Sequence, residues 1–445
     1  MWKLMNHGRL KPALKLAIKT GVFLAVSLTA FYFYDTAPTT KHSSEIFEPR
    51  LISREEISGS LSNYILKNQF PNQIALGAGS ASPLYKIGYT LDEEMQDYAR
   101  QLLTNYKPDY AAIVLMNART GEILTLSSFE RHKKYDSNLA LKASYPAASI
   151  FKVITAATAV DKAGVEPEQR IAFNGGNYTL YKKNVLSDKV NRWTRFITLK
   201  EAFARSINTA FGRLSLEKLN PLDLQDYANR FMFNQEIPTD FEVERSVASV
   251  PDEKGYELTE VASGYNRFNT LSPVHAALIA STIINEGKMP TPYLVKNIHN
   301  DKNELVYSGD NIHELDITRQ IIAPNSAEKV KEMMEQTVLT GTSRKTFRQL
   351  VRDRNFRQIE MGGKTGHFTG TNPKGRTDWF VGYASDGDDR IAIAAITVNV
   401  EKWTVKSSAL GEMMFRKYFN AKKEEKLAAA VEAKKLAEPA ALTEN

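Results

Sequence analysis

The residues best suited to do chemistry in this chain are a serine and a lysine three positions apart, Ser149 and Lys152. Tyr145-Pro146-Ala147-Ala148 precedes them, and an apolar run from Val153 to Val160 follows. Pro146 suits a helix start, and the run suits a helix buried on most sides. Three-residue spacing stacks Ser149 and Lys152 on one face, within hydrogen-bond reach. Near a helix N-terminus, a developing Ser149 alkoxide also gains from the helix dipole. The hydroxyl needs a base, and an ordinary lysine, pKa ~10.4, is protonated at neutral pH. Bringing it near 7 takes about 4 kcal/mol, from desolvation and a second cation. Lys364 is the obvious second cation. The chemistry is nucleophile activation by a desolvated lysine, with no metal or cofactor in it.

Ser-x-x-Lys alone is a weak signal, since it recurs at Ser215–Lys218 and Ser326–Lys329. Lys-Thr-Gly likewise occurs at 19–21 as well as at 364–366. Order discriminates. Ser-x-Asn occurs once, as Ser206-Ile207-Asn208; only Ser149–Lys152 precedes it, and only Lys364-Thr365-Gly366 follows it. In such a set Ser206 can relay a proton between Lys152 and a leaving amine, and Asn208 can bind a substrate amide. The ordered set is the one found in β-lactamases and penicillin-binding proteins.

Further segments extend the resemblance across residues 86–420. Tyr89-Thr90-Leu91-Asp92, Asn117-Ala-Arg-Thr-Gly-Glu-Ile-Leu and Asp378-Trp-Phe-Val-Gly-Tyr are similar to the transpeptidase domain of high-molecular-mass penicillin-binding proteins. So are Thr270-Leu-Ser-Pro273, Asn285-Glu-Gly287 and the stretch from Pro290 to Leu294. The resemblance implies a monofunctional, class B-like D,D-transpeptidase of the penicilloyl serine transferase superfamily. Its substrates would be peptidoglycan stem peptides ending in D-Ala-D-Ala, and β-lactam antibiotics would acylate Ser149. Ser149, Lys152, Ser206 and Lys364 would be catalytic, while Asn208, Thr365, Gly366 and His367 would bind substrate. The backbone N–H groups of Ser149 and His367 would form the oxyanion hole. Two features depart from the family. The usual N-terminal pedestal is replaced by a stalk of about fifty residues, too short for a glycosyltransferase, so a separate glycosyltransferase is an expected partner. Where Thr or Ser usually follows Lys-Thr-Gly, this chain has His367.

The elements that must position these residues read as α/β (α+β). Leu91 to Thr104 reads as a helix capped by Thr90, with Glu93 three positions on. Ala111 to Met116 and Glu122 to Leu126 flank the turn at 117–121 as a hairpin. Helical segments follow near 148–162, 199–218, 273–286 and 325–339. Gln358 to Phe368, Trp379 to Ala384 and Ile391 to Val400 read as three strands. Two strands before a helical insertion and three after it predict one five-stranded antiparallel sheet flanked by helices. A last helix is expected near 407–419, and the flexible Ala/Lys/Glu tail 421–445 reads as a frayed or disordered helix.

The net charge of +7 divides unevenly. Lys3, Arg9, Lys11, Lys15 and Lys19 precede residue 20 with no acid among them, so nucleic-acid binding is not indicated. Residues 16–34, as a helix about 28 Å long, match a bilayer core and predict a transmembrane anchor. The basic residues 1–15 would stay cytoplasmic, with Tyr32 and Tyr34 at the far interface. That topology gives a single-pass inner-membrane protein with a stalk of one or two short helices at 35–85 and its catalytic domain in the periplasm or outside the cell. A cleaved signal peptide fits less well, because no good small-residue site follows the apolar run. The chain has no cysteine, which excludes disulfides and thiolate chemistry.

Three other kinds of protein share parts of this motif set and architecture. A D,D-carboxypeptidase or endopeptidase changes only the acceptor, from amine to water. A β-lactamase is usually secreted and more compact between its second and third motifs. A non-catalytic β-lactam-sensing or wall-binding module usually carries several membrane segments. The basic stretch from Arg344 to Arg376 reads as a solvated rim, or else as a surface that steers anionic groups towards Lys364.

Overall fold

The computed structural model describes residues 52–77, 83–132, 137–310, 319–371, 373–387 and 389–437. Its central sheet has five strands: β1 (Tyr110–Asn117), β2 (Ile123–Glu130), β3 (Glu360–Thr371), β4 (Lys374–Asp386) and β5 (Asp389–Asn399). They run in the order β3-β4-β5-β1-β2, and every neighbouring pair is antiparallel. The expected sheet, with a helical insertion between its second and third strands, is therefore present. The order makes β3, which carries Lys364-Thr365-Gly366, an edge strand.

Period-two alternation splits the sheet's side chains between two cores. Val114, Met116, Trp379, Val381 and Tyr383 join the larger core, shared with the helical insertion. Ile113, Leu115, Phe380 and Ala384 face the smaller one. Burial on both faces explains why Ile391 to Val398 is almost continuously apolar.

Ten helices, among others, cover this sheet or position the site. They are α1 (Arg54–Leu66), α2 (Glu93–Tyr106), α3 (Phe151–Asp161), α4 (Leu199–Ala204), α5 (Asn208–Lys218), α6 (Tyr256–Ser263), α7 (Pro273–Ile284), α8 (Pro324–Leu339), α9 (Arg344–Arg352) and α10 (Ser407–Ala437). α2, α9 and α10 cover the smaller core, through residues such as Leu103, Phe347 and Phe415. α3 and α7 lie in the larger core and are buried along almost their whole length.

The structure differs from the sequence reading in five places. α2 starts two residues late because Asp92, not Thr90, caps it by accepting the Met95 N–H at 3.0 Å. Thr90 instead donates to the Ile123 carbonyl at 2.8 Å, tying α2 to β2. Pro146 does not open a helix; Tyr145–Pro146 pairs as a short strand with Thr270–Leu271. The expected helix 199–218 is two helices, broken at Ser206, whose φ is +55°. Much of the expected stalk belongs to the folded unit. Ile57, Leu61 and Ile65 of α1 are buried in the larger core, and Gln73–Ala75 and Leu84–Tyr89 join a second antiparallel sheet with Val295–His299 and Leu305–Ser308. At the other end, α10 runs on as far as Ala437, past the expected stop near 419. The predicted anchor at 16–34 lies outside the described residues, among which no helix is long and apolar enough to cross a membrane.

Candidate active site

Ser149 sits in a single 3₁₀ turn, Ala148–Ile150, that feeds directly into α3. The Trp379 indole N–H donates to the Pro146 carbonyl at 3.0 Å, and its ring meets Tyr145 edge-on at 5.9 Å, so β4 fixes the approach to the turn. The turn also demands an unusual backbone. Ala148, just before Ser149, has φ +49°, a region L-residues seldom occupy. Gly264, with φ +63°, lies so close that a Cβ there would stand 1.9 Å from the Ala148 carbonyl oxygen. Glycine is required at that contact.

Lys152 projects from the first turn of α3 and is fully buried. Its Nζ lies 2.9 Å from Ser149 Oγ and 2.8 Å from Asn208 Oδ1, and it also reaches the Ser263 carbonyl. Of these three neighbours, the amide oxygen and the carbonyl can only accept. A neutral Lys152 amine therefore spends its two N–H bonds on them and turns its lone pair to the Ser149 hydroxyl. Burial, and after it the Lys364 cation, holds Lys152 well below the ordinary lysine range. Both causes named from the sequence are thus present, and burial is the larger.

Ser206 and Asn208 come from the break between α4 and α5. The left-handed turn at Ser206 ends α4 and restarts the chain as α5 with Asn208 as its first residue. Asn208 Nδ2 donates to the Tyr178 carbonyl at 3.0 Å, which leaves Oδ1 facing Lys152. From β3, fully buried Lys364 donates to Ser206 Oγ and to the Thr365 carbonyl, both at 2.9 Å. Burial brings Lys364 down to about 7. The Phe211 ring lies 5.5 Å from Lys152 Nζ, and the Phe203 ring 5.5 Å from Lys364 Nζ. Apolar rings thus keep water from both amines while their faces offset some of the cost of the charged forms.

The remaining expected residues line one stretch of β3. Thr365 is nearly buried, and its hydroxyl is 2.6 Å from that of Thr342. Gly366 faces the Ser149 turn; a Cβ there would be 3.4 Å from Ser149 N and from Ala148 Cβ. The Thr365 carbonyl turns to the outer edge of β3, where Lys364 Nζ donates to it. Backbone groups alternate along an antiparallel strand, so the His367 N–H faces that edge too. The His367 ring is half exposed and leans across to its register partner Asp378, with Nε2 2.6 Å from the carboxylate. Beside it opens a cavity of about 570 Å³, lined by Glu260, Tyr265, Phe368, Arg376 and Trp403 among others.

All eight residues named from the sequence meet here. Ser215 and Ser326, which open the competing Ser-x-x-Lys matches, hydrogen-bond elsewhere: Ser215 Oγ donates to the Gly212 carbonyl, and Ser326 bonds Asp161. Sequence reasoning missed the Ser263 carbonyl, Gly264 and Thr342. A backbone acceptor leaves no side-chain signature, and Thr342 stands 23 residues from Thr365 with no motif around it.

Residues 111–419 match the family described as penicillin binding protein transpeptidase domain. The chain is 25% identical over 296 residues to stage V sporulation protein D of Bacillus subtilis, covering 62% of this chain and 43% of that protein. It is 25% identical over 338 residues to the peptidoglycan D,D-transpeptidase PbpA of Mycobacterium tuberculosis, covering 66% and 63%. The chain therefore spans less than two thirds of the length of these relatives. Among solved structures, the D,D-transpeptidase domain of a peptidoglycan glycosyltransferase from Eggerthella lenta superposes with TM-score 0.60 at 22% identity, covering 76% of this chain and 84% of that one. Penicillin-binding protein A from M. tuberculosis, as its imipenem acyl-enzyme, gives TM-score 0.59 at 21% identity, over 75% and 79%. These likenesses establish the shared fold.

Proposed function

The chain belongs to the penicillin-binding-protein transpeptidase family, and from that premise we propose that it is a peptidoglycan D,D-transpeptidase acylated at Ser149. The observation that carries this reading is the Lys152 amine, buried, 2.9 Å from Ser149 Oγ and held by two acceptor-only groups. Ser149 Oγ attacks the carbonyl between the two terminal D-alanines of a stem peptide, and Lys152 takes its proton. The oxyanion that forms is held by the N–H groups of Ser149 and His367. Collapse breaks the C–N bond; the departing D-alanine amine receives a proton through Ser206, and the donor remains as an ester on Ser149. An acceptor stem-peptide amine then attacks that ester, gives up a proton by the reverse route, and leaves cross-linked. Asn208 holds the donor amide, while Thr365, Gly366 and His367 receive the terminal carboxylate. β-Lactams enter the same acylation and stay as the ester.

On this reading residues 16–34 anchor the protein in the inner membrane, with residues 86–420 outside the cytoplasm. A separate glycosyltransferase makes the glycan strands. The names of the curated relatives, peptidoglycan D,D-transpeptidases among them, support transpeptidation over the carboxypeptidase reading. The test is partition of the acyl-enzyme. The full chain in detergent micelles, given a D-Ala-D-Ala donor and an amine acceptor, should form the aminolysis product in proportion to acceptor. Release of the hydrolysed donor alone, whatever the acceptor concentration, would assign a carboxypeptidase.

A further inference from the structure

Between two short paired strands, Arg170–Phe173 and Arg195–Thr198, the chain makes an excursion that the chemistry above leaves mostly unused. The excursion has two faces. Its inner face is built onto α5: Leu180 and Val185 are buried, and a Cβ on Gly212 would meet Val185 Cγ2 at 2.6 Å and Leu180 Cδ1 at 3.3 Å. The Tyr256 hydroxyl donates to the Leu180 carbonyl at 2.7 Å, and Arg213 to the Val185 carbonyl at 3.3 Å. The outer face is a different surface. Tyr178, Tyr181, Val190 and Trp193 are each more than 59% exposed, with Trp193 at 73%. Among them stand Lys182, Lys183, Lys189, Arg192 and Arg195, against one acid, Asp188. Arg192 lies over the Trp193 ring at 4.7 Å, so cation and ring form one unit.

A cluster of exposed rings on an anchored element marks an interaction surface. Its position narrows the partner. The Asn177 carbonyl accepts the Asn208 N–H at 2.8 Å, the Tyr178 carbonyl accepts Asn208 Nδ2 at 3.0 Å, and the Gly176 carbonyl accepts the Thr209 hydroxyl at 2.7 Å. The surface is therefore continuous with the wall of the catalytic site. A protein docked there, or a bilayer, would obstruct the mouth through which two peptides must enter. Composition agrees, since protein interfaces are depleted in lysine at their cores, and here lysines alternate with the rings. Ring faces stack on the C–H faces of sugars, and cations pair with peptide carboxylates.

We infer that residues 178–196 form a landing surface for the carboxylated glycan polymer that carries the substrate peptides, with Tyr181 and Trp193 as stacking rings and Lys182, Lys183 and Arg192 as its cations. The inference rests on the transpeptidase reading above, and its test separates the two. Full-length protein carrying Ser149→Ala, in detergent micelles, is pelleted with purified peptidoglycan sacculi, and separately with phosphatidylglycerol vesicles. Sacculi should retain it, less so at high salt, and Tyr181→Ala/Trp193→Ala should weaken retention at least 10-fold. Lys182→Glu/Lys183→Glu should weaken it too, and serves as the second variant if the ring variant misfolds. With Ser149 restored, a small penicillin should acylate both variants within twofold of the wild type. Unchanged retention of both variants, or a wild type that sacculi do not retain, would overturn the inference. So would variant-sensitive binding to vesicles alone, which would make the surface a membrane contact. Failure of penicillin to acylate Ser149 in the wild type would instead overturn the reading on which the inference rests.

Discussion

Lys364 Nζ lies 2.9 Å from Ser206 Oγ, joining an edge strand to a helix break 158 residues earlier in the chain. The contact holds the second cation of the site inside the protein, where its charge acts on Lys152 through little screening. Removing that charge has two consequences of defined sign.

Lys364→Met should slow penicillin acylation roughly 10²- to 10³-fold, the range for loss of a preorganised electrostatic group. It should also move the ascending limb of the pH–rate profile to higher pH. Lys364 is one cause of the lowered Lys152 value, so without it Lys152 loses its proton only at higher pH. The wild type should in addition decline as pH rises through about 7, where Lys364 becomes neutral. The two limbs belong to the coupled pair rather than to either lysine alone. An unmoved ascending limb in Lys364→Met contradicts this account.

Asn208→Asp would set a carboxylate 2.8 Å from the Lys152 amine. An adjacent opposite charge stabilises the ammonium and occupies the lone pair that Ser149 needs. Acylation at pH 7 should fall about 10²-fold, near 2.7 kcal/mol, and recover partly towards alkaline pH. Asn208→Ala, which adds no charge, should cost less and leave the limb nearly in place. Equal profiles for the two variants would show that Asn208 acts only as a spacer.

His367 follows Lys364-Thr365-Gly366 directly, and its ring is already engaged with Asp378 at 2.6 Å. Asp378 also accepts the Ser407 N–H at 2.7 Å, so the carboxylate is braced and can orient the ring. His367→Ala should lower kcat/KM about 10-fold or more for a peptide ending in a free carboxylate, the worth of one hydrogen bond to a charged group. The same peptide with an amidated end should lose little. Equal losses on both substrates would reduce His367 to a structural role.

Away from the site, His275 is fully buried against Phe233, its Nε2 2.6 Å from the Phe231 carbonyl. Burial pushes it down to about 4 from 6.5. Between those values the unfolded chain binds more protons, so stability falls as pH drops from 6.5 towards 4, by up to about 1.4 kcal/mol per unit. Chemical denaturation of wild type and His275→Gln across that window should give a shallower pH slope for the variant. Parallel slopes would exclude His275 as the titrating group.

The candidate site was legible in the sequence where chemistry dictates residue type. Ser149, Lys152, Asn208 and Lys364 announce themselves because few other residues could do their work, and their order fixes which matches count. The five-stranded sheet was legible because β5 is apolar on both faces and the β1–β2 turn is plain. The helix break at Ser206 was hidden because residues 199–218 have helical patterning throughout, and only a left-handed serine interrupts them. Ile57, Leu61 and Ile65 were hidden for another reason: α1 is polar around its buried stripe, so it resembles a solvated stalk until its partners are known. Thr342 and the Ser263 carbonyl belong to the site only through the fold.

The most direct test of the account is the identity of the acylated residue. The full-length protein, treated with a penicillin and digested, should yield a single penicilloyl ester on the peptide containing Ser149. Ser149→Ala should show none, with its fold intact by circular dichroism. An adduct on Ser215 or Ser326, or undiminished labelling of Ser149→Ala, would contradict the account.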